Sequence, residues 1–346
     1  MSLRVLLACL LLGLGACGRG PHCATGDRAC AARALTEHSA RHIEFWNREL
    51  KRPLALRIGP APAQLLDYLE LDNIAQGVPH HPRAPALTPE FLVELHAAFD
   101  ELPDEVTQRL APRLVGIYLV DDLGGSAYTE EIIDEDGHAV AAVVVLDAGV
   151  MSARGANAWA TWKENTPFVP EPGWALAAQI EAPAQDLPKY AIQYILLHEL
   201  GHVLSVGNHI HPTWSQPPPP DTAGYAYFSL SWRLTPQRTY ESLFDRDFPQ
   251  RREVVYYFGA KLPASQMVPV YEALGRTNYP TLYAGNNAPD DFAEGFANYV
   301  HTMLLNRPYE IRISHDGVVV KTYRACWTMA RCAAKRKIIE QLLAAP

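Results

Sequence analysis

The stretch from Tyr190 to Ser205 limits what this chain can fold into more than any other. It reads Tyr-Ala-Ile-Gln-Tyr-Ile-Leu-Leu-His-Glu-Leu-Gly-His-Val-Leu-Ser, with His198 and His202 four residues apart and Glu199 beside the first. Residues four apart share one face of an α-helix, so the two imidazoles can meet one metal ion. Ala191, Ile192, Tyr194, Ile195, Leu196, Leu197, Leu200, Val203 and Leu204 make the rest apolar nearly all round, which predicts a buried helix. Buried polar groups without partners cost several kcal/mol. A Zn²⁺ ion would satisfy both histidines, with Glu199 placed as general base for a metal-activated water.

A zinc site that does chemistry has three protein ligands and one open position. The later stretch Ala288 to Leu305 offers the third ligand. Pro289, Asp290 and Asp291 mark a helix start, and Phe292, Phe296, Tyr299, Val300 and Met303 form its core face. Glu294 shares a side with Asn298 and His301. His209 and His211 are competing third ligands. A metzincin-type register would require glycine at 205 and histidine at 208, where this chain has Ser205 and Asn208.

H-E-x-x-H on one helix, followed on a later helix by Asp291-Phe-Ala-Glu-Gly-Phe-Ala297, resembles the gluzincin group of zinc metallopeptidases. The likeness spans residues 115–305 by architecture and two short segments by motif. It implies Zn²⁺ held by His198, His202 and Glu294, with Glu199 as the catalytic base. It also implies an α+β, zincin-like, two-lobed fold: a small twisted sheet packed on the H-E-x-x-H helix, and a helical lower lobe. Asn298 stands where many gluzincins carry an aspartate behind the metal, so Asp291 or Asp290 is an alternative support. The tyrosine that lethal-factor-like members carry seven residues before the glutamate is Asn287 here. Tyr283 is therefore nominated as the oxyanion donor, with Tyr279 as a further candidate. The expected activity is hydrolysis of protein or peptide substrates. Two other readings stay open: a non-catalytic envelope lipoprotein whose site is closed by Asp290 or His301 as a fourth ligand, and a cell-wall amidase using the same metal chemistry.

The N-terminus reads as a targeting segment. Arg4 precedes a short apolar run, Val5 to Leu14, and Leu14-Gly-Ala-Cys17 resembles the lipobox of bacterial lipoproteins. The resemblance implies cleavage after residue 16, lipid on Cys17 and a membrane-anchored protein of the bacterial envelope, sorted to the outer membrane. The expected organisation is a signal peptide over 1–16, a tether over 17–33, a helical region over 34–112 and a catalytic domain over 113–346. A net charge of -8 argues against non-specific nucleic-acid binding. Four cysteines remain after the anchor, Cys23, Cys30, Cys326 and Cys332, without C-x-x-C metal spacing, so disulfides are expected. Local pairs are slightly favoured over pairs joining the two ends.

Among the other elements, a helix is expected over 34–50 and strands over 114–120, 128–133 and 138–146. Asp134-Glu-Asp-Gly137 turns the last two into a hairpin. A further strand is expected over 253–258, and a second hairpin over 310–323.

Overall fold

The computed structural model describes residues 23–345 apart from residues 25, 153, 215 and 258, so the signal segment and Cys17 lie outside the described residues. The fold is mixed α/β, with small sheets. The helices in chain order are α1 (Arg28–Thr36), α2 (Ile43–Trp46), α3 (Ala63–Gln76), α4 (Pro89–Asp100), α5 (Asp104–Leu110) and α6 (Ala148–Met151). They continue with α7 (Ala156–Asn165), α8 (Pro188–Ser205), α9 (Met267–Leu274), α10 (Ala288–Tyr299) and α11 (Ala333–Ala344).

The main sheet has strands β1 (Ile58–Pro60), β2 (Leu114–Val120), β3 (Ala127–Ile133) and β4 (Ala139–Asp147), in the order β1-β2-β4-β3. β1, β2 and β4 run parallel, and β3 returns antiparallel to β4. Side chains alternate across a strand. Ile117, Leu119, Ala142, Val144 and Leu146 therefore pack with α4, α5, α7 and α8 in one core. Val115, Tyr118, Val120, Ala141, Val143 and Val145 pack with Trp46 of α2 and with Leu65, Tyr68 and Leu69 of α3 in the other. Burial on both faces explains the unbroken apolar run of β4. β3, with Thr129, Glu130 and Glu131, lies at the sheet edge.

The region before residue 113, expected to be helical, carries α1 to α5 and one short strand, β1, which pairs in parallel with β2. Buried Arg57 secures the junction, donating to the carbonyls of Leu50 (2.8 Å), Ala111 (2.9 Å) and Leu114 (2.6 Å). The single helix expected over 34–50 is broken into α1, α2 and short 3₁₀ turns. His38 interrupts it by accepting from the Ala40 N–H, and the Trp46 indole donates to the Ala40 carbonyl at 2.7 Å. Both bonds turn the backbone back on itself, at the expense of helical continuity. The strand expected over 253–258 does not form among the described residues. Tyr257 there has φ +66°, outside the extended region. The hairpin of residues 310–315 and 318–324 does form, and joins residues 174–179 in a three-stranded antiparallel sheet. The disulfides are local, Cys23–Cys30 and Cys326–Cys332.

α8 and α10 cross closely. A Cβ on Gly201 would lie 2.7 Å from the Ala293 Cα, so only glycine lets the two backbones approach there. Gly295, two residues after Ala293, makes room for Tyr227, whose hydroxyl would stand 2.3 Å from an added Cβ.

Candidate metal centre

α8 begins at Pro188, where a proline costs no helical hydrogen bond, and runs unbroken to Ser205. His198 and His202 consequently share the face turned toward α10. Asn287 caps α10: its side-chain oxygen accepts from the Asp290 N–H at 2.9 Å, and its amide donates to Asp290 Oδ2 at 2.7 Å. The cap fixes Asp290 in the first helical turn. Asp290 Oδ1 then lies 3.7 Å from His198 Nε2 and 3.5 Å from His202 Nε2.

Those separations are long for hydrogen bonds, which centre near 2.9 Å. They suit two ligand atoms sharing one ion. Donors about 2.1 Å from a tetrahedral metal stand roughly 3.4 Å apart. One ligand atom each from His198, His202 and Asp290 falls within 4.8 Å of the others, so this group could hold a metal ion.

The sequence reading places Glu294 as third ligand. In the structure Glu294 lies one turn behind Asp290 and meets the other ring nitrogen of His198, with Oε2 3.0 Å from Nδ1. Its second oxygen accepts from Lys163 Nζ and from the Tyr194 hydroxyl, both at 3.1 Å. Both oxygens are thus committed away from the metal-facing nitrogens. The difference is one helical turn, and a residue four places earlier projects from the same face. Glu294 occupies the position from which a carboxylate sets the tautomer and orientation of a ligand histidine.

Asn298 supports this arrangement from further back. It donates to the Tyr194 hydroxyl at 3.2 Å and accepts from the Trp327 indole at 2.9 Å. Asp291 faces the opposite way. It pairs with buried Lys335 at 2.5 Å and accepts from the Trp232 indole at 3.0 Å. It therefore does not back the histidines as the sequence reading allowed.

Burial alone would lower the His198 pKa. The Asp290 and Glu294 carboxylates outweigh it and raise it to about 10. Asp290 is held below the usual carboxylate range: burial works against this, but the nearby His198 and His202 imidazoles prevail. Glu294 is drawn down to about 2, again against burial, by Lys163 and His198. The pocket thus favours positive charge between the imidazoles and carboxylates.

No family model, curated protein or solved structure matches the chain.

Glu199 is buried beside the metal-facing histidines, and the Thr129 hydroxyl of β3 donates to its Oε2 at 2.5 Å. Sequence reasoning missed Thr129 of β3 and Lys163 of α7, which stand on other elements, and the role of Tyr194, one turn before His198 on α8; it also missed the Asn287 cap. The side chain–to-backbone capping pattern Asn287-x-x-Asp290 was the signal that could have revealed the last of these. Tyr283 does reach the site, with its ring edge-on to the His198 imidazole at 5.4 Å between centroids. Tyr279 does not: it is buried behind α10, with its hydroxyl bonded to Ser242 at 2.7 Å. His209 is exposed, with its ring 6.1 Å from that of Tyr225. His211 is buried, and one ring nitrogen meets the Pro212 carbonyl at 2.8 Å. Burial lowers its pKa to about 4. His301 is likewise turned away, toward the carbonyls of Ile180 (2.8 Å) and Pro308 (3.1 Å).

A cleft of about 580 Å³ opens over the three-residue group. Its walls include Tyr128 and Thr129 of β3, Trp214, Tyr240, Tyr283 and Asn287.

Proposed function

We propose that the chain is a zinc-dependent endopeptidase with a two-lobed, zincin-like build, the cleft lying between the sheet and α10. The observation that carries this reading is the coincidence of four features at one place. These are a three-ligand group, a carboxylate base beside it, an open cleft and an edge strand along that cleft. Zinc, when bound, would supply Lewis-acid polarisation of the scissile carbonyl. His198, His202 and Asp290 would hold it. Glu294, itself held by Lys163 and Tyr194, orients His198.

Glu199 accepts the proton of the attacking water and returns it to the leaving amine. The Thr129 hydroxyl keeps its carboxylate in place. Tyr283, whose ring stands edge-on to His198 in the cleft, is the candidate to donate to the developing oxyanion, a role worth about 3 kcal/mol where such donors have been removed. An extended peptide can add to β3 through main-chain bonds, which explains a polar strand at the edge beside the site. The lipobox supports anchoring of the chain to the bacterial envelope through Cys17.

The test is zinc content and casein cleavage for wild type, Asp290→Ala, Glu199→Gln and His209→Ala. We expect about one zinc per chain in wild type. Asp290→Ala should lose metal and cleavage, Glu199→Gln should keep metal and lose cleavage, and His209→Ala should keep both. Zinc without cleavage in wild type would favour the non-catalytic envelope protein. Absence of zinc would end the metallopeptidase reading.

A further inference from the structure

Beside Glu199 a second, smaller cavity of about 220 Å³ runs inward from the cleft. It shares Ala127, His198, Glu199 and Tyr283 with the main cleft. Its other end is lined by Gly124, Gly125 and Ser126, where a Cβ on Gly125 would come no nearer than 3.9 Å to another group. On the far side lies a bay of about 940 Å³, which shares the glycines and Tyr257 with the small cavity. Of the residues the two share, Gly124, Gly125, Ser126 and Tyr257, only Tyr257 sets a large side chain at the partition.

Its backbone is unusual. Tyr257 has φ +66°, a conformation that costs a bulky residue of order 1 kcal/mol or more and persists only when the surroundings impose it. The ring packs against Trp162 at 5.5 Å, Tyr256 at 6.0 Å and Tyr283 at 6.4 Å between centroids. The strained turn therefore places an aromatic ring where a strand residue could not.

The remaining walls are Trp159, Tyr194, Ile195 and Tyr283, with Lys163 and Glu294 at the inner end. Lys163 meets Glu294 at 3.1 Å and Glu164 at 3.4 Å, and its ammonium sits 4.6 Å from the centre of the Tyr283 ring. A charged side chain entering here would lose its water beside an ammonium and a carboxylate that already satisfy one another. A neutral, flat or branched side chain avoids that penalty and buries apolar surface against Trp159, Tyr194, Ile195, Tyr257 and Tyr283.

We propose that this cavity is a specificity pocket for a large neutral side chain, aromatic or leucine-like, next to the scissile bond, and that Tyr257 is the residue that sets its depth. The pocket rests on the peptidase reading for its place in a reaction, but its binding preference can be read without metal or turnover.

The experiment titrates the zinc-free chain with N-acetyl amino-acid amides, followed by NMR. The phenylalanine and leucine amides should bind at least about tenfold tighter than the alanine, glutamate and lysine amides, as expected for one more buried apolar side chain. Tyr257→Gly, which removes the ring and suits the backbone, should admit a naphthylalanine amide about tenfold better than wild type. Ile195→Phe, filling the cavity from α8, should weaken the phenylalanine amide about tenfold, and keeps the test decisive if the glycine variant does not fold. Equal binding of all the amides, no binding of any, or size preferences unchanged in both variants would overturn the proposal. A peptide library run alongside with the zinc-loaded chain separates the two readings. Amide preference without any cleavage leaves the pocket and removes the peptidase. Cleavage without a side-chain preference does the reverse.

Discussion

The two sides of α10 each carry a carboxylate paired with a buried lysine, yet they do different things. On the side facing α8, Glu294 is shared among Lys163, Tyr194 and His198, with Asp290 one turn earlier open to the cleft. On the other side Asp291 meets Lys335 and Trp232 in a closed group. The lysines record the difference. Burial would lower Lys163, but Glu294 and Glu164 together raise it above its ordinary value. Lys335 has Asp291 alone, and burial lowers it to about 8. Adjacent aspartates at 290 and 291 point about 100° apart on a helix, so one serves a site and the other the core. The first side has spare ligand capacity; the second has none.

Four experiments can break or sharpen this contrast. The largest effect is expected from Asp290→Ala against Asp291→Ala. The former should abolish stoichiometric zinc, while the latter should leave bound zinc unchanged in the folded fraction, as read by metal analysis. Equal metal loss in both would dissolve the distinction. Next, Lys335→Met should cost about 3–5 kcal/mol in urea unfolding, because it leaves Asp291 buried and unpaired. The double variant Lys335→Met/Asp291→Asn should recover most of that loss.

A third effect, of up to about 3 kcal/mol, comes from pH. The folded pKa of Lys335 lies near 8, below the unfolded value of 10.5. Between those values the unfolded chain binds more protons, so this group's penalty is present below pH 8 and is relieved as pH rises toward 10.5. Wild-type stability should therefore gain on that of the double variant from pH 8 to 10. A gap that stays constant would mean that Lys335 titrates normally. Smallest is Glu294→Gln, expected to weaken zinc binding about 10- to 100-fold in a chelator competition, through loss of the charge behind His198. Complete loss of metal there would return Glu294 to the ligand set.

Much of this was legible in the residues. The α8 pattern, the β3–β4 turn at Asp134 to Gly137 and the helix start at Ala288 are local signals, in which side-chain period, turn chemistry and capping act within a few residues. The pair of histidines was legible for the same reason. The break of residues 34–50 was not, because it depends on Trp46 reaching Ala40 and packing beneath the sheet. Nor was the left-handed turn at Tyr257, in a stretch whose composition reads as strand.

By itself the sequence determined that His198, Glu199 and His202 share one buried helix, and that a second helix bearing Asp290, Asp291 and Glu294 follows it. Helical period and capping decide such things, and they act along the chain. Only the tertiary structure decided which carboxylate meets which ring nitrogen. That choice turns on the close contact of α8 and α10 at Gly201 and Ala293, and on Lys163 and Tyr194 occupying the second oxygen of Glu294. A shift of one turn along α10 separates the carboxylate that could share an ion with both histidines from the one that meets His198 from behind, and local propensity does not specify how far two helices slide before they lock.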